Sequence, residues 1–388
     1  MRIAQVTPYF LPVEGGVERH VFNLSKELIG LGHDVDVLTC NLTRRGEVLA
    51  QYSAVAGVPV HRFASMASLG EFGKVWPGFG IRLLKGRYDV VHVHAFRHPH
   101  TDMSAILSKI SSSKSVLTPH SSFYPLHLRR PLARGLVQVY DSLIAPISLR
   151  GYDRLVSLTL REARLLRSMG ARSDKIALIS NGVEDSHFRR GDTEAFKRKY
   201  GLQGGEIILY LGRLNRSKGI DVLLDSFEEV AAVRPRARLV LAGPATSDDE
   251  ESFKGVLIKR AEAMDVRRSI VFTGEISEEE KRAAYDACDV FVLPSIYEGY
   301  GLVLLEAGAH AKPVVSTLTD GPSSVVTDGF NGFLVQPANR FQLAEKILRI
   351  LDDRSLQAEM GERARSAALG HTWHKVAKMT EALYEGIN

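Results

Sequence analysis

Short apolar segments alternate with longer amphipathic segments along the first 120 residues. The apolar segments have strand length and end at glycine, proline or polar residues, whereas those between them have helical spacing. The predicted strands are IAQVTPYF, VDVLTC, PVHRF, DVVHVHAF and SVLTPH, with helices over about 16–30 and 102–112. Such alternation is typical of βαβ units, whose strands form a parallel sheet.

The same alternation restarts after Asn181-Gly182. The predicted strands there are EIILYLGR, RLVLAGP, SIVFTGE, DVFVLPS, PVVST and FLVQP. One intervening helix has a defined start, because Ser277 and Glu280 have the spacing of a capping box. We therefore predict an α/β protein of two Rossmann-like, doubly wound parallel-sheet domains, at residues 1–183 and 184–370.

The last helix, over residues 371–388, has an amphipathic pattern. Trp373, Val376, Met379 and Leu383 are spaced to lie on one face. We predict that this helix packs back on the first domain.

Composition indicates a globular protein, with 45% hydrophobic and 24% charged residues in 388. We find no apolar run of about 18 residues or more, and the amino terminus leads into a strand instead of a signal peptide. Cys40 and Cys288 have no nearby ligand partners and are expected to be buried free thiols. A cytoplasmic location follows as the expectation.

Positive charge is concentrated in the amino-terminal half. Residues 1–185 contain 23 Lys and Arg against 15 Asp and Glu, whereas residues 186–388 contain 27 against 30. A basic half could face nucleic acid, an anionic membrane or a phosphorylated substrate. Because no RNP-like strand, zinc finger or helix-turn-helix pattern is present, we expect no nucleic-acid partner.

The segment YEGYGLVLLEA, residues 297–307, joins a predicted buried strand to a predicted helix that begins near Gly301. Backbone N–H groups of Gly301, Leu302 and Val303 would favour a phosphate at the helix start. Glu298 and Glu306 would then accept hydrogen bonds from sugar or ribose hydroxyls. The alternative is that Glu298 caps the helix and Glu306 is merely solvated.

A second candidate is the loop GRLNRSKG, residues 212–219, at the end of the strand EIILYLG. Arg213 and Lys218 would bring two cations to the strand's carboxyl end, where they could clamp a diphosphate leaving group. A solvated basic loop is the alternative.

Two further candidates lie at strand ends of the first domain. Gly15 and Gly16 precede a helix and let backbone amides approach an anion or a sugar, although a simple tight turn would use the same residues. The segment is not GxGxxG, so nicotinamide binding is not indicated. His120 could hydrogen-bond a substrate hydroxyl, but isolated histidines are more often surface or core residues.

We expect no metal site. His92 and His94 would share one face of a strand, yet no nearby carboxylate or cysteine completes a ligand set. The only acidic DxD triplet, Asp34 to Asp36, begins a strand. Arg213, Lys218 and helix dipoles would neutralise phosphate charge instead.

Together these motifs resemble the retaining glycosyltransferases of family 4, which have the GT-B fold of two Rossmann-like domains facing across a cleft. The resemblance spans nearly the whole chain: PxxGGVERH, DVVHVH, TPH, ISNGV, GRLNRSKG, EGYGLVLLEA and DGFNGFLVQP. The E-x7-E pair combined with GRL-x3-KG is specific, whereas each other segment is weak alone.

The resemblance implies a role for each matching acid and histidine. Glu298 would lie near the hydroxyls and anomeric carbon of the donor sugar, and Glu306 would accept from the ribose hydroxyls. His120 would contact the donor sugar.

It also implies sites for the rest of the donor. Arg213 and Lys218 would hold the diphosphate, and the glycine loop at Gly16 would contact the phosphate or the acceptor. We expect the donor base near Gly243 and over Gly274 to Ile276.

The implied reaction moves a hexose-type sugar from a nucleotide-diphosphate sugar to an acceptor hydroxyl. We favour same-face attack through an oxocarbenium-like species, with the leaving diphosphate as base, so no cofactor or metal is required. One departure concerns the family's GGxxE pattern, where Ser324 replaces the glutamate and the contacts of that loop become uncertain.

Other functions stay open at this point. A nucleotide-sugar sensor would bind without turnover, and a GT-B epimerase or phosphorylase would use the same fold for another reaction. We expect the acceptor to be a growing glycan or a lipid-linked molecule. Residues 124–150 mix arginines with leucines and suit an anionic membrane surface at the inner face of the membrane, although an ordinary packed helix pair fits as well.

Overall fold

The structure is a computed structural model and describes residues 1–69, 72–120 and 131–387. The chain divides into two compact units. Unit 1 comprises Met1–Gly182 with Trp373–Asn388, and unit 2 comprises Val183–Thr372.

Unit 1 is built on an eight-stranded sheet with helices on both faces. The strands of this unit are β1 (Arg2–Val6), β2 (Asp34–Cys40), β3 (Tyr52–Val55), β4 (Val58–Phe63), β5 (Ala67–Ser68), β6 (Lys74–Val75), β7 (Val90–His94), β8 (Lys114–Thr118), β9 (Arg154–Ser157) and β10 (Ile176–Leu178). Strands β5 and β6 pair with each other in a separate two-stranded sheet, and the other eight form the large sheet. Its helices are α1 (Gly16–Gly30), α2 (Gly78–Lys85), α3 (Pro99–Ile110), α4 (Pro131–Leu143), α5 (Ala145–Gly151), α6 (Leu160–Ser168) and, at the end of the chain, α15 (Trp373–Glu385).

The strand order of this sheet is β10-β9-β8-β7-β1-β2-β4-β3, and every pair is parallel except β3 with β4. Strand β1 lies between β2 and β7, with Ile3 opposite both Val35 and Val90. Because helices cover both faces, β1 and β7 are buried along almost their whole length.

Helix α15 packs on α1 within unit 1. Its buried face contains Trp373, Val376, Ala377, Thr380 and Tyr384. The predicted placement of Met379 on this face is wrong, since its side chain is exposed. A straight helix advances about 100° per residue, so the stripe runs through positions 373, 376, 380 and 384 and leaves 379 outside.

Unit 2 has a six-stranded sheet that is entirely parallel. Its strands are β11 (Ile207–Leu211), β12 (Arg238–Ala242), β13 (Ile270–Gly274), β14 (Val290–Leu293), β15 (Val314–Thr317) and β16 (Gly332–Val335). Its helices are α7 (Thr193–Tyr200), α8 (Ile220–Val233), α9 (Asp248–Glu262), α10 (Glu278–Ala287), α11 (Leu302–Ala309), α12 (Pro322–Val325), α13 (Arg340–Asp352) and α14 (Arg354–Leu369).

The strand order of unit 2 is β13-β12-β11-β14-β15-β16. A single apolar core joins the sheet to its helices. The predicted capping box is confirmed at the start of α10, where Ser277 and Glu280 hold each other's backbone N–H groups. The predicted doubly wound α/β class is therefore confirmed for both sheets.

Three strands of the eight-stranded sheet were not predicted from the pattern of apolar residues. Strands β3, β9 and β10 have three or four residues each, and β3 and β10 are partly exposed, so none forms a distinct apolar run. Cys40 and Cys288 are buried free thiols, as predicted. Among the described helices, none has the length and apolarity needed to cross a bilayer.

Candidate active site

Each sheet has one position where the strand order reverses direction. In unit 1 this position lies between β1 and β7, and in unit 2 between β11 and β14. The connections that follow these two strands cross to opposite faces of the sheet. This leaves a crevice at the carboxyl ends of the strands, which is where open α/β sheets bind ligands. The predicted site loops follow these four strands, or β8, β12 and β13 in the same two sheets.

The loop after β11 lies against the end of β14. Gly219 has φ +63°, and a Cβ there would stand 2.3 Å from the carbonyl oxygen of Pro294, so only glycine fits. The backbone N–H of Ile296 donates to the oxygen of Ser217 at 2.8 Å. This close approach brings Lys218 Nζ to 2.6 Å from Glu298 Oε2.

Glu298 is therefore an ion-pair partner of the lysine. The Ser295 hydroxyl donates to the same carboxylate oxygen at 3.4 Å, and the Glu298 carbonyl accepts from Gly321 N–H at 3.1 Å. The alternative that Glu298 caps the next helix is wrong, because Gly301 is the N-cap and no side chain caps it.

Helix α11 begins where the sequence predicted. Gly301 has φ +84° and precedes the first turn, which contains the half-buried Leu302 and Val303. The left-handed backbone at Gly301 turns the chain from the β14 loop into the helix. Phosphate binding by these three residues remains a prediction.

Glu306 lies on the second turn of α11 inside a polar cluster. Tyr285 Oη donates to its Oε2 at 2.8 Å, Lys281 Nζ is 2.9 Å from the same atom, and His187 Nε2 is 3.9 Å from Oε1. Burial alone would raise the carboxyl pKa, but the charges of Lys281 and His187 and the hydrogen bonds lower it to about 2.

The solvated alternative for Glu306 is therefore wrong. The sequence pattern did not predict the contacts of Glu306 with Lys281, Tyr285 and His187. Lys281 and Tyr285 come from α10, and His187 comes from the turn at residues 185–188, so these contacts depend on how both segments lie against α11. The chain offers no local signal for these contacts.

Arg213 follows β11 but faces a different acid. Its Nη1 lies 3.3 Å from Glu250 Oε1, and the guanidinium is half-exposed. Burial raises the Glu250 pKa, but the backbone and hydroxyl donors of Thr246 and the charge of Arg213 give a net lowering. The structure thus pairs Lys218 with Glu298 and Arg213 with Glu250, and a shared diphosphate clamp remains a prediction.

Three consecutive strand ends of unit 2 are joined by backbone hydrogen bonds. Gly212 N–H donates to Ala242, and Gly243 N–H donates to Gly274, both at 2.9 Å. A Cβ on Gly243 would stand 2.1 Å from the Gly212 oxygen, whereas Gly274 faces open space. Ile276, two residues beyond, is half-buried. Gly274 and Ile276, where we expect the base of the donor nucleotide, therefore lie beside three neighbouring strands that each end at or directly before a glycine.

In unit 1 the glycine loop leads directly into α1. Gly15 is the N-cap and Gly16 the first helical residue, as predicted. A Cβ on Gly15 would stand 2.4 Å from Glu18 Oε2, whereas one on Gly16 would meet nothing within 4 Å. Glu18 is buried and accepts from Arg44 Nη2 at 2.7 Å. Gly16 therefore leaves an open approach to the helix start.

His120 is not isolated. Its Nε2 lies 2.8 Å from His94 Nδ1, and His94 Nε2 lies 2.6 Å from Gln5 Oε1. Nearby, His20 Nδ1 lies 2.5 Å from Asn181 Oδ1. Coordinating nitrogens of His20, His94 and His120 all lie within 4.8 Å of one another.

Strand periodicity predicts that His92 and His94 share a face, and their ring centroids are 4.3 Å apart. It did not predict that His20 and His120 lie beside His94, so the expectation that His94 lacks potential ligand partners was wrong. The available signal was that GGVERH, DVVHVH and TPH each end in histidine, either within two residues of a strand end or in the second turn of α1.

Burial keeps this cluster neutral. It lowers the His20 pKa to about 4 and the pKa values of His94 and His120 well below the ordinary range. Because Gln5 Oε1 can only accept, His94 carries its proton on Nε2, and His120 Nε2–H donates to His94 Nδ1. Nδ1 of His120 is then the hydrogen-bond acceptor available to a substrate hydroxyl.

The DxD triplet has structural partners. Asp36 accepts from Tyr88 Oη at 2.6 Å and from Arg82 Nη2 at 3.2 Å, and its Oδ1 lies 3.2 Å from His61 Nε2.

The predicted membrane segment is only partly described. Residues 121–130, including Arg129 and Arg130, lie outside the described residues. Arg134 in α4 and Arg150 in α5 are exposed.

Comparisons with known proteins match most of the chain to glycosyltransferases. The model of the family described as Glycosyltransferase Family 4 matches residues 14–187, and that of Glycosyl transferases group 1 matches residues 192–367. The chain is 28% identical to a D-inositol 3-phosphate glycosyltransferase of Corynebacterium aurimucosum, covering 99% of this chain and 96% of that protein. It is 27% identical to a phosphatidyl-myo-inositol mannosyltransferase of Mycolicibacterium smegmatis, covering 100% and 94%.

Solved structures show the same fold. HepE of Anabaena, in complex with UDP, has a TM-score of 0.79 at 19% identity and covers 99% of this chain and 100% of that one. Sucrose-phosphate synthase from Thermosynechococcus elongatus has a TM-score of 0.78 at 22% identity and covers 99% and 98%.

Proposed function

The chain belongs to glycosyltransferase family 4, with the GT-B fold and glycosyltransferase activity, and we propose that it moves a hexose-type sugar from a nucleotide-diphosphate sugar to an acceptor hydroxyl with retention. The observation that carries this proposal is the meeting of Lys218 and Glu298 at 2.6 Å, at the point where the strand order of unit 2 reverses.

Lys218 acts on the leaving group. Its ammonium is held by the Glu298 carboxylate in a half-buried loop, which supports a role in binding a diphosphate against the start of α11. Arg213 supplies the second cation by leaving Glu250 for the phosphate, which its exposed guanidinium can do at low cost. The growing charge of the departing diphosphate is then stabilised by fixed cations and backbone N–H groups.

Glu298 accepts hydrogen bonds from the donor sugar, and Glu306 accepts from the ribose. The carboxyl pKa of about 2 keeps Glu306 ionised at every physiological pH, as an acceptor requires. His120 presents a neutral acceptor nitrogen to a sugar hydroxyl. Gly15 and Gly16 allow the phosphate or the acceptor to approach the start of α1. Gly274 and Ile276 lie beside the base of the donor nucleotide.

Retention follows from attack on the same face of the sugar as the departing diphosphate. The glycosidic C–O bond to the diphosphate breaks, the acceptor oxygen bonds to the anomeric carbon, and the acceptor proton passes to the leaving phosphate oxygen. No metal or other cofactor is required, because Lys218 and Arg213 balance the phosphate charge.

Named relatives support the donor and acceptor classes. Structures of HepE contain UDP, which is a nucleoside diphosphate, and UDP-glucose, in which that diphosphate is linked to a sugar. The two curated relatives are named for an inositol phosphate and a phosphatidylinositol acceptor. The acceptor is accordingly a hydroxyl on a phosphorylated polyol or a lipid.

The decisive experiment measures donor binding and turnover in one preparation. UDP-, GDP- and ADP-sugars are screened by thermal shift, and the anomeric configuration of the transferred sugar is followed by NMR with EDTA present. We expect one nucleotide class to raise the melting temperature and the donor configuration to be retained.

Two substitutions link this activity to the site. Lys218→Met and Glu298→Gln should each lower kcat by on the order of 10²-fold. The matched control uses Lys254→Met and Glu251→Gln, which break an exposed Lys–Glu pair of α9 in the same unit and should leave kcat unchanged. Donor binding without any turnover would instead identify a sensor, and inversion of a sugar carbon in the donor would identify an epimerase.

A further inference from the structure

Three histidines of unit 1 meet beside the carboxyl ends of β7 and β8. His94 is the last residue of β7, His120 lies two residues beyond β8, and His20 is in the second turn of α1. One ring nitrogen of each lies within 4.8 Å of the other two. In a tetrahedral zinc site the ligand nitrogens are about 3.3 Å apart, because each Zn–N bond is about 2.0–2.1 Å long. Small movements of the three rings therefore suffice to bring these nitrogens to one ion.

Two of these rings are oriented by amide oxygens, as the rings of metal-bound histidines are. His20 Nδ1 lies 2.5 Å from Asn181 Oδ1, and His94 Nε2 lies 2.6 Å from Gln5 Oε1. Because an amide oxygen only accepts, each of these nitrogens carries the proton, and the lone pair is on the other nitrogen of the ring. In metal sites the same kind of contact fixes the tautomer and the orientation of the ligating ring.

His92 shows how a purely structural histidine is held in the same strand. It is buried two residues before His94, with Tyr384 Oη 2.6 Å from its Nδ1 and Thr118 Oγ1 2.7 Å from its Nε2. Both of its ring nitrogens are therefore used in hydrogen bonds to hydroxyl groups. His92 does not belong to the group of three nitrogens, and it provides a matched control.

His120 supplies the third nitrogen. Its backbone has φ +56°, a left-handed conformation that is uncommon for residues other than glycine. The side chain lies with Nε2 2.8 Å from His94 Nδ1 and with its ring centroid 4.5 Å from that of His20. When no ion is bound, Nε2 carries the proton and donates it to His94 in a hydrogen bond. To bind an ion, Nε2 gives up this proton and Nδ1 of the same ring takes one up.

The chemistry of this donor set selects a class of metal. Imidazole nitrogens suit Zn²⁺ and the neighbouring first-row transition metals, whereas Mg²⁺ and Ca²⁺ prefer oxygen ligands. Three histidines are also a sufficient protein ligand set for zinc, since a water or another small ligand can take the fourth position.

We propose that His20, His94 and His120 bind one divalent transition-metal ion, represented by Zn²⁺, and that the bound ion inhibits sugar transfer. Inhibition follows from the tautomer of His120. With the ion on Nε2, Nδ1 carries the proton and donates, so it no longer accepts a hydrogen bond from a sugar hydroxyl. The inhibition rests on the proposed function, whereas binding of the ion does not.

Metal binding is tested without substrate. The full-length protein is treated with EDTA, freed of the chelator, and titrated with ZnCl₂ by calorimetry and with CoCl₂ by visible absorption, with MgCl₂ as the negative control. We expect one tight zinc site per chain, strong visible absorption from cobalt with fewer than six ligands, and no response to magnesium. Zinc should also raise the melting temperature, because it binds the folded chain.

Two substitutions locate the ion. His20→Gln should weaken zinc binding by about a hundredfold or more, since losing a ligand costs at least as much as the 10–100-fold of a lost second contact. His92→Gln replaces another buried histidine and should leave the affinity unchanged. Circular dichroism verifies that both variants are folded at the temperature of the titration.

Asn181 is tested as the residue that orients His20. Asn181→Ala should weaken zinc binding by roughly tenfold to a hundredfold, and Asn181→Asp should restore it, because a carboxylate accepts the same hydrogen bond. A merely structural asparagine would change the melting temperature of both variants without changing the zinc affinity of the folded protein.

Inhibition is measured as the ratio of the transfer rates with and without zinc. This ratio should fall to a tenth or less in the unmodified protein and return to one when EDTA is added. It should stay near one in His20→Gln and fall in His92→Gln, which controls for zinc bound by the nucleotide. Binding of the nucleoside diphosphate should not change, because its proposed ligands Arg213 and Lys218 belong to unit 2.

Two results would overturn the proposal. Equal zinc affinity in the unmodified protein and in His20→Gln would mean that metal binds only at surface residues. Zinc bound at the three histidines without any fall in the transfer rate would exclude the inhibition. Absence of transfer from every donor in EDTA would contradict the proposed function, and the inhibition with it, while the zinc titration of the same preparation still decides the site.

Discussion

At the scale of single residues, Glu306 is held as a carboxylate by Lys281 and Tyr285. Its folded pKa of about 2 lies below the ordinary 4.5, so the carboxylate contributes stability that is complete above pH 4.5 and is lost as the pH falls towards 2. Glu306→Gln should therefore destabilise unit 2 by on the order of 3 kcal/mol at pH 7, and by less as the solution is acidified.

Urea unfolding at a series of pH values measures this difference. Glu279→Gln on α10 is the control, because Glu279 is an exposed acid on the helix that carries Lys281. A penalty that stays constant from pH 7 to pH 3 would contradict the ion-pair explanation.

We interpret His94 as the residue that positions His120, since His94 Nδ1 accepts a hydrogen bond from His120 Nε2–H. His94→Leu should lower kcat by roughly tenfold to a hundredfold with little change in donor KM, because the sugar contact is misplaced in the transition state. His94→Gln retains a donor and an acceptor and should recover part of the loss.

His92→Leu provides the comparison. His92 is equally buried two residues earlier in β7, but it bonds Tyr384 and Thr118 instead of His120. Both leucine variants should lose stability, and only the His94 variant should lose kcat in the folded enzyme. Equal kcat values would assign His94 to the core alone.

At the scale of elements, the loop between β11 and α8 determines where Lys218 lies. Gly219→Ala adds a Cβ that would stand 2.3 Å from the Pro294 oxygen, so the loop must move away from the end of β14. We expect kcat to fall by about a hundredfold and the protein to be destabilised by more than the ~1 kcal/mol of a left-handed alanine.

Gly201→Ala separates these two effects. Gly201 ends α7 with φ +66°, similar to the +63° of Gly219, and a Cβ there meets nothing within 4 Å. Thermal unfolding and kcat of the two variants are compared directly. If Gly201→Ala lowers kcat as much as Gly219→Ala, loop position does not explain the loss.

At the scale of the whole molecule, the two units differ in how many buried histidines resist protonation. Burial lowers the pKa of six histidines in the described part of unit 1, but of His187 alone in unit 2. In unit 1, burial lowers the pKa of His20 and His98 to about 4 and of His100 to about 3. A histidine with a lowered pKa in the folded state is neutral in both states above its unfolded pKa of about 6.5. As the pH falls from there towards 4, the unfolded chain takes up the proton first, so the free energy of unfolding decreases. In unit 2, the carboxylate of Glu306 begins to lose its contribution only below pH 4.5.

Unit 1 should therefore unfold first on acidification, with a midpoint between about pH 4 and pH 6. Both tryptophans belong to unit 1, so their emission reports that unit alone, whereas far-ultraviolet circular dichroism reports both. We expect the fluorescence transition to precede completion of the dichroism change. A single coincident transition below pH 4 would contradict this order.

The sequence by itself determined which segments become strands and helices in most of both sheets, because strands buried on both faces consist mostly of apolar residues. It also determined local starts and turns, such as the Ser277 capping box and the beginning of α11 at Gly301, since these depend on residues within one helical turn. Candidate chemistry at Glu298, Arg213, Lys218 and His120 was visible because it follows those strands.

Only the tertiary structure decided which of these groups meet. Lys218 and Glu298 are 80 residues apart and come together because β11 is the neighbour of β14 in the sheet. Likewise, His20, His94 and His120 meet because β1 lies beside β7 and β7 beside β8. Strand order depends on long-range packing of helices against sheet faces, which local periodicity does not encode. For the same reason, the sequence pattern named Glu306 but not the lysine and tyrosine that hold it.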